Sequence, residues 1–337
     1  MKSTLTALII GFLLASCSQP QTFDVLIKNG QIIDGSGQPS YVGDIAINAD
    51  TIAAIGNLKN AKGRQEIDAT GLVVAPGFIN MLSWATESLI EDGKSQSDIR
   101  QGVTLEVFGE GWSMGPVTDA SIKAIREIGY GNIVYDFEWE TLGEYLEFLT
   151  KKGVSPNVAS FVGATTLRIN TVGFEDRAPT DEEMEQMKSM VKKAMEEGAL
   201  GIGSSLIYAP AFYASTEELI ELCKVASAYD GMYISHMRSE GNQLLKSLDE
   251  LIRIADEANI RAEVYHLKTQ ARITGTNLML WSPRLILHEQ PDWISQRICT
   301  PTPLGEQVLM LPCRHGCKKE AMKNGPNACK TQKLESN

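Results

Sequence analysis

The sequence predicts an α/β protein: an incomplete (β/α) barrel of the TIM type, with six of eight strands, preceded by a small β-sandwich. Three observations predict it. Short apolar strands alternate with turns from Phe23 to Ala75, strand and helix patterns alternate from Pro76 to Lys268, and the alternation stops after Lys268.

The chain opens on Lys2 and the apolar run Leu5 to Leu14. That run is short for a transmembrane helix and of the right length for the core of a secretion signal. It ends in Leu14-Ala15-Ser16-Cys17, which resembles a bacterial lipobox and implies an exported lipoprotein, lipidated at Cys17 and anchored to the membrane facing the periplasm or cell surface. The alternative is a plain signal peptide with an incidental cysteine. Residues 1–22 are therefore read as leader and polar tether.

Residues 23–75 carry the strands of the sandwich: Asp24 to Lys28, Gln31 to Asp34, Gly43 to Ile47, Thr51 to Ile55 and Gly71 to Ala75. Asn29-Gly30 and Asp34-Gly35 supply turn chemistry between them. From Pro76-Gly77 the pattern changes, and residues 76–268 give six candidate barrel strands: Gly77 to Leu82, Val103 to Gly109, Val158 to Gly163, Leu200 to Ser205, Met232 to His236 and Ala262 to Lys268. Helices are predicted between them. Thr180-Asp181-Glu182-Glu183 and Ser215-Thr216-Glu217-Glu218 are N-terminal capping signals for Asp181 to Glu197 and Thr216 to Ala228. Leu244, Leu248, Leu251, Ile252 and Ala255 share one face of a third helix, Asn242 to Ala258. At this length, such alternation favours a barrel over a doubly wound sheet.

The composition is that of a globular protein, 43% hydrophobic and 22% charged over 337 residues. A formal net charge of -11 argues against a nucleic-acid partner, which needs a basic face.

Two of the four histidines end predicted strands. His236 and His266 lie 30 residues apart, one βα unit, so a barrel sets them on adjacent strands at the C-terminal mouth, where barrels build their sites. Neighbouring imidazoles make half of a tetrahedral zinc shell. Hydrogen-bonded structural histidines are the alternative. Glu110 follows the strand Val103 to Phe108 between Gly109 and Gly111, placed to project its carboxylate over the same mouth. With the two imidazoles it would give three protein ligands to one zinc ion and leave the fourth position open. A solvated acid in a polar turn is the competing reading.

Several motifs point one way: Pro76-Gly77-Phe78-Ile79-Asn80, Gly102-Val103-Thr104, Ser204-Ser205-Leu206-Ile207-Tyr208, Ala214-Ser215-Thr216-Glu217-Glu218-Leu219, His236-Met237-Arg238-Ser239-Glu240-Gly241 and Tyr265-His266-Leu267-Lys268. Together they resemble the N-acyl-D-amino-acid deacylase (D-aminoacylase) branch of the metal-dependent amidohydrolase superfamily. The resemblance implies hydrolysis of the linear amide of a small N-acyl amino acid, with His236 and His266 as metal ligands after strands five and six. Tyr208 and Lys268 match positions that hold substrate, the lysine near its carboxylate. The sequence also departs from the family. Leu82 and Trp84 stand where the superfamily has a His-x-His pair, and Glu110 is the nearest substitute for the family's cysteine ligand after strand two. These changes point to a single-metal variant or to an orphan subgroup with a different substrate. A surface lipoprotein that binds a ligand without turnover is the alternative from another class.

Residues 269–337 show no clean βα unit. Read through the genetic code in a frame that drops two bases, Thr269 to Thr274 can give AGKDNW. Trp293 to Asn324 likewise gives a continuous globular-type string that resembles the family's continuation. The expectation is a one-base slip near residues 268–270, which would remove strands seven and eight and the superfamily's strand-eight aspartate, leave no catalytic acid and make the chain inactive and poorly folded. On this reading Cys313, His315, Cys317 and Cys329 are accidental neighbours rather than a zinc site.

Overall fold

The computed structural model describes residues 21–128 and 133–268. Residues 1–20 with Cys17 and the segment 269–337 with Cys313, His315, Cys317 and Cys329 lie outside the described residues, and with them the expected leader, the expected slip and the expected loss of strands seven and eight. The chain divides between Pro76 and Gly77.

The first unit holds β1 (Thr22–Ile32), β2 (Tyr41–Asn48), β3 (Thr51–Gly56), β4 (Lys62–Asp68) and β5 (Val73–Val74). Among the described residues they form one mixed sheet in the order β3-β2-β1-β4, with β5 also on β1, and a second layer of the expected sandwich is not among them. The cause is β1. Its 11 residues pair antiparallel with β2 along one edge, and take β4 and then β5 in parallel along the other. The turn expected at Asn29-Gly30 is a bulge instead: Asn29 adopts φ 61° and the register shifts between Ile27 and Gly30, but β2 stays paired on both sides. Asp34-Gly35 does turn, with Asp34 accepting from the Ser36 backbone at 2.9 Å.

The second unit is built on β6 (Phe78–Asn80), β7 (Val103–Phe108), β8 (Asn157–Ser160), β9 (Val162–Gly163), β10 (Gly201–Ser205), β11 (Met232–His236) and β12 (Arg261–Val264). Every pairing among them is parallel. The strand expected from Val158 to Gly163 is interrupted at Phe161, so β8 pairs with β7 and β9 with β10. Counting that interrupted strand once, six parallel strands follow one another in sequence order.

Between them run α1 (Ser88–Glu91), α2 (Gln96–Ile99), α3 (Asp119–Ile128), α4 (Leu142–Lys152), α5 (Ala164–Thr171), α6 (Asp181–Glu196), α7 (Thr216–Ser227) and α8 (Leu244–Ala258). The caps behave as the sequence implies. Thr180 and Glu183 close a capping box on α6, and the Ser215 side chain accepts from the Glu218 backbone to start α7.

Strand alternation sorts the core into two layers. Val107, Phe161, Ile234 and Tyr265 fill the inside of the curved sheet with Leu82 and Leu105 packed on them. Leu149, Leu167, Val191, Leu219, Leu248 and Ile254 belong to the larger layer between sheet and helices. Among the described residues no helix is long and apolar enough to cross a membrane.

Candidate metal centre

The carboxy-terminal ends of the parallel strands gather the chemistry. Glu110 leaves β7 in a tight turn in which Gly111 N–H donates to Gly109 O at 2.8 Å. Both flanking glycines are required. Gly109 has φ 104°, and a Cβ there would lie 2.3 Å from the Phe161 carbonyl oxygen. Gly111 has φ 87°, and its Cβ would meet Ser205 Oγ at 2.6 Å. That same Ser205 hydroxyl donates to the Glu110 carbonyl at 2.8 Å, so the backbone carrying the carboxylate is pinned from β10.

His236 ends β11, and His266 follows β12 with φ 36°. That conformation disfavours a side chain and costs about 1–3 kcal/mol, strain of the kind concentrated at functional sites. The two rings stand edge to face with centroids 4.3 Å apart. Glu110 Oε1 faces both, at 2.7 Å from His266 Nε2 and 3.6 Å from His236 Nδ1. One donor atom from each of the three residues falls within 4.8 Å of the others, and all three side chains are buried.

Glu240 sits against the opposite ring nitrogens, its Oε1 3.1 Å from His266 Nδ1 and 3.5 Å from His236 Nε2. One carboxylate therefore faces the pair and a second backs it. Lys268 Nζ donates to Glu240 and lies 3.0 Å from His266 Nδ1. The Tyr208 ring meets His236 edge-on with centroids 5.4 Å apart and is more than half exposed. All five predicted site residues thus reach this end of the sheet. Glu240 is the member the residue-by-residue reading missed. Its one signal was Glu240-Gly241 shortly after the strand-end His236, a weaker mark than the two glycines that flank Glu110.

Electrostatics follow from the packing. Burial works against the charged form of His266, but the carboxylates of Glu110 and Glu240 outweigh it and push its pKa up to about 9. Burial also works to raise the Glu110 and Glu240 carboxyls. The two imidazoles outweigh it at Glu110, and His266 with Lys268 does so at Glu240, so both lie below the usual carboxylate range.

The donor set suits a divalent cation. Glu110 Oε1 and His236 Nε2 are buried with charge contacts to His266 Nε2 at 2.7 Å and to Glu240 Oε1 at 3.5 Å but no well-aligned hydrogen bond, and of the two Glu110 Oε1 is the one that faces both imidazoles. Two imidazoles and one carboxylate are the mixed nitrogen and oxygen set that zinc accepts. The first strand contributes no ligand: Leu82 packs into the inner core and Trp84 is 46% exposed.

No family model matches the chain. A D-aminoacylase from Alcaligenes xylosoxydans xylosoxydans is 37% identical over 258 residues, 76% of this chain and 53% of that relative. A solved D-aminoacylase, described by one-metal activation and second-metal attenuation of its binuclear centre, superposes with a TM-score of 0.75 at 30% identity, covering 83% of this chain and 59% of that one. An N-acyl-D-glutamate deacylase from Bordetella bronchiseptica, solved with zinc and a phosphonate mimic of the tetrahedral intermediate, superposes with a TM-score of 0.73 at 27% identity, over 84% and 59%. The chain spans about half the length of the curated relatives it matches. By sequence and by fold it belongs with the D-aminoacylases and N-acyl-D-amino-acid deacylases of the amidohydrolase superfamily.

Proposed function

We propose that the parent protein is a zinc-dependent amidohydrolase that cleaves the linear amide of N-acyl-D-amino acids, using a single ion. The observation that carries this is the convergence of Glu110, His236 and His266, all buried, with one donor atom of each within 4.8 Å of the others. The names of the relatives supply the substrate class and its handedness.

Glu110, His236 and His266 would hold the ion, which when bound supplies Lewis acidity toward the amide carbonyl and toward water. Glu240 takes the outer nitrogen of His266 and so fixes the ring with Nε2 turned to Glu110. Lys268 and Tyr208 stand beside the imidazoles, where a cation and a phenol can hold the free carboxylate of the substrate. Leu82 and Trp84 offer no imidazole for a second ion, which is why one is proposed.

The rest of the reading concerns residues outside the described segments. Residues 269–337 are taken as the parent sequence displaced by one base, and the chain as given is expected to bind zinc without turning over. Anchoring through Cys17 is expected on the sequence alone, and membrane fractionation of Cys17→Ala tests it.

Metal analysis of the purified 337-residue chain should find one zinc per molecule, and the gene restored to the other frame should release amino acid from N-acetyl-D-amino acids. Absence of zinc would sink the metal centre. Zinc without hydrolysis in the restored protein would leave the binding-only reading standing. Zinc-dependent hydrolysis by the 337-residue chain itself would refute its inactivity.

A further inference from the structure

A cavity of about 520 Å³ opens beside the metal centre, within the range of ~300–1,000 Å³ usual for small-molecule sites. Glu110 lies on its wall and in the centre, and the rest of the lining is dominated by Trp84, Trp112, Met114, Ile125 and Ile133. It lies at the mouth of β6 and β7, the position where the first-strand imidazoles are replaced by Leu82 and Trp84.

We infer that this cavity receives the acyl group of the substrate and selects for apolar acyl chains or rings longer than acetyl. The inference rests on the amidohydrolase reading of the same site. Charge and connectivity carry it. Away from the centre the charged side chain on the cavity wall is Glu87, an acid, and no cation among the described residues lines the wall, so nothing there suits the substrate's carboxylate. Glu87 is further engaged by the Tyr135 hydroxyl, which donates to it at 2.9 Å. The cation suited to that carboxylate is Lys268, which belongs to the His266 and Glu240 cluster instead.

In an N-acyl amino acid the side chain and the carboxylate share one carbon on the nitrogen side of the scissile bond. With the carboxylate held at Lys268 and the carbonyl at the Glu110, His236 and His266 cluster, the acyl group is the part that leads away into the apolar space.

Calorimetry and tryptophan fluorescence on the full chain test this without turnover. Two ligand series are compared: acetyl, butanoyl and hexanoyl amides of D-alanine, and acetyl amides of D-alanine, D-norvaline and D-norleucine. The acyl series should tighten about fourfold per added methylene until the cavity is full, with a weaker trend in the side-chain series. Trp84→Ala, at a half-exposed position, should weaken hexanoyl binding at least fivefold and acetyl binding by less, flattening the acyl series. Ile133→Ala should act in the same direction and guards against a folding defect in the first variant. A flat acyl series, a steep side-chain series beside it, or no binding in either overturns the inference. Zinc bound at the three-residue centre with a flat acyl series would fail this inference alone, whereas a steep acyl series in a restored protein that never hydrolyses would fail the enzymatic reading alone.

Discussion

Tyr265 donates its phenolic hydroxyl to the backbone carbonyl of Met81 at 2.8 Å, joining the residue after β12 to the residue after β6 across a separation of 184 positions. The first and last described strands of the second unit are not ladder neighbours, so this bond crosses the opening between them. The ring itself is 2% exposed and packs in the inner core with Phe161 and Ile234.

Tyr265→Phe keeps that packing and removes only the hydroxyl. It should lower unfolding free energy by about 1 kcal/mol, the net worth of one buried hydrogen bond, with added cost if the Met81 carbonyl stays dry. Urea denaturation checks this, and an unchanged midpoint would mean the bond contributes nothing.

Arg168 and Glu218 form a buried pair, 2.6 Å apart and almost fully shielded from solvent. The guanidinium also donates to the carbonyls of Glu175 and Arg177, tying α5 to the loop before α6 and to the first turn of α7. Arg168→Met strands a buried carboxylate and should cost about 3–5 kcal/mol, whereas Arg168→Met with Glu218→Leu should recover most of the loss. Thermal unfolding of the two variants side by side reads the difference.

How far the sequence could be read followed how strongly burial wrote itself into it. The barrel strands and the helices α6 to α8 were legible because their apolar positions keep one period and their caps use Thr180 and Ser215. β4, Lys-Gly-Arg-Gln-Glu-Ile-Asp, was missed: nearly all of it is exposed, so no alternation marks it, and only its backbone ladder with β1 makes it a strand. Asn29-Gly30 reads as a turn because asparagine tolerates positive φ, yet a bulge uses the same conformation. Glu110, His236 and His266 were legible as residues at or just past strand ends, while the part Glu240 takes was not, because it depends on the segment after β11 placing Glu240 against both imidazoles.

The three donors of the metal centre should not be equivalent to their neighbours on zinc analysis. His236→Ala and His266→Ala should each abolish stoichiometric binding, as should Glu110→Ala. Tyr208→Phe should leave the metal content unchanged. Retained zinc in either histidine variant would show that the ion binds elsewhere.

Glu240→Gln tests whether the carboxylate behind the rings matters. Its contacts are to outer ring nitrogens and to Lys268, so its loss should leave the three donors in place and weaken zinc about 10–100-fold. Competition with a chelator of known affinity measures the change. An unaltered zinc affinity would reduce Glu240 to a partner for Lys268.

Glu263 makes the last case, because both of its carboxylate oxygens are buried with no hydrogen bond. Ala262 and Val264, its neighbours on β12, face the helices, so alternation turns Glu263 to the inner side with Tyr265. Burial alone pushes its carboxyl from near 4.5 up to about 8. A folded-state pKa above the unfolded one means the folded chain holds the proton longer. The stability this contributes is complete below about pH 4.5 and is lost as pH rises through about 8, at roughly 1.4 kcal/mol per pH unit in between. Glu263→Gln cannot ionise. Its unfolding free energy should therefore lack this fall, so that the variant gains on the wild-type chain steadily from pH 5 to pH 8 and holds a constant advantage above it. Parallel curves for the two proteins across that window would mean that Glu263 is ionised in the folded chain and has found a cationic partner there.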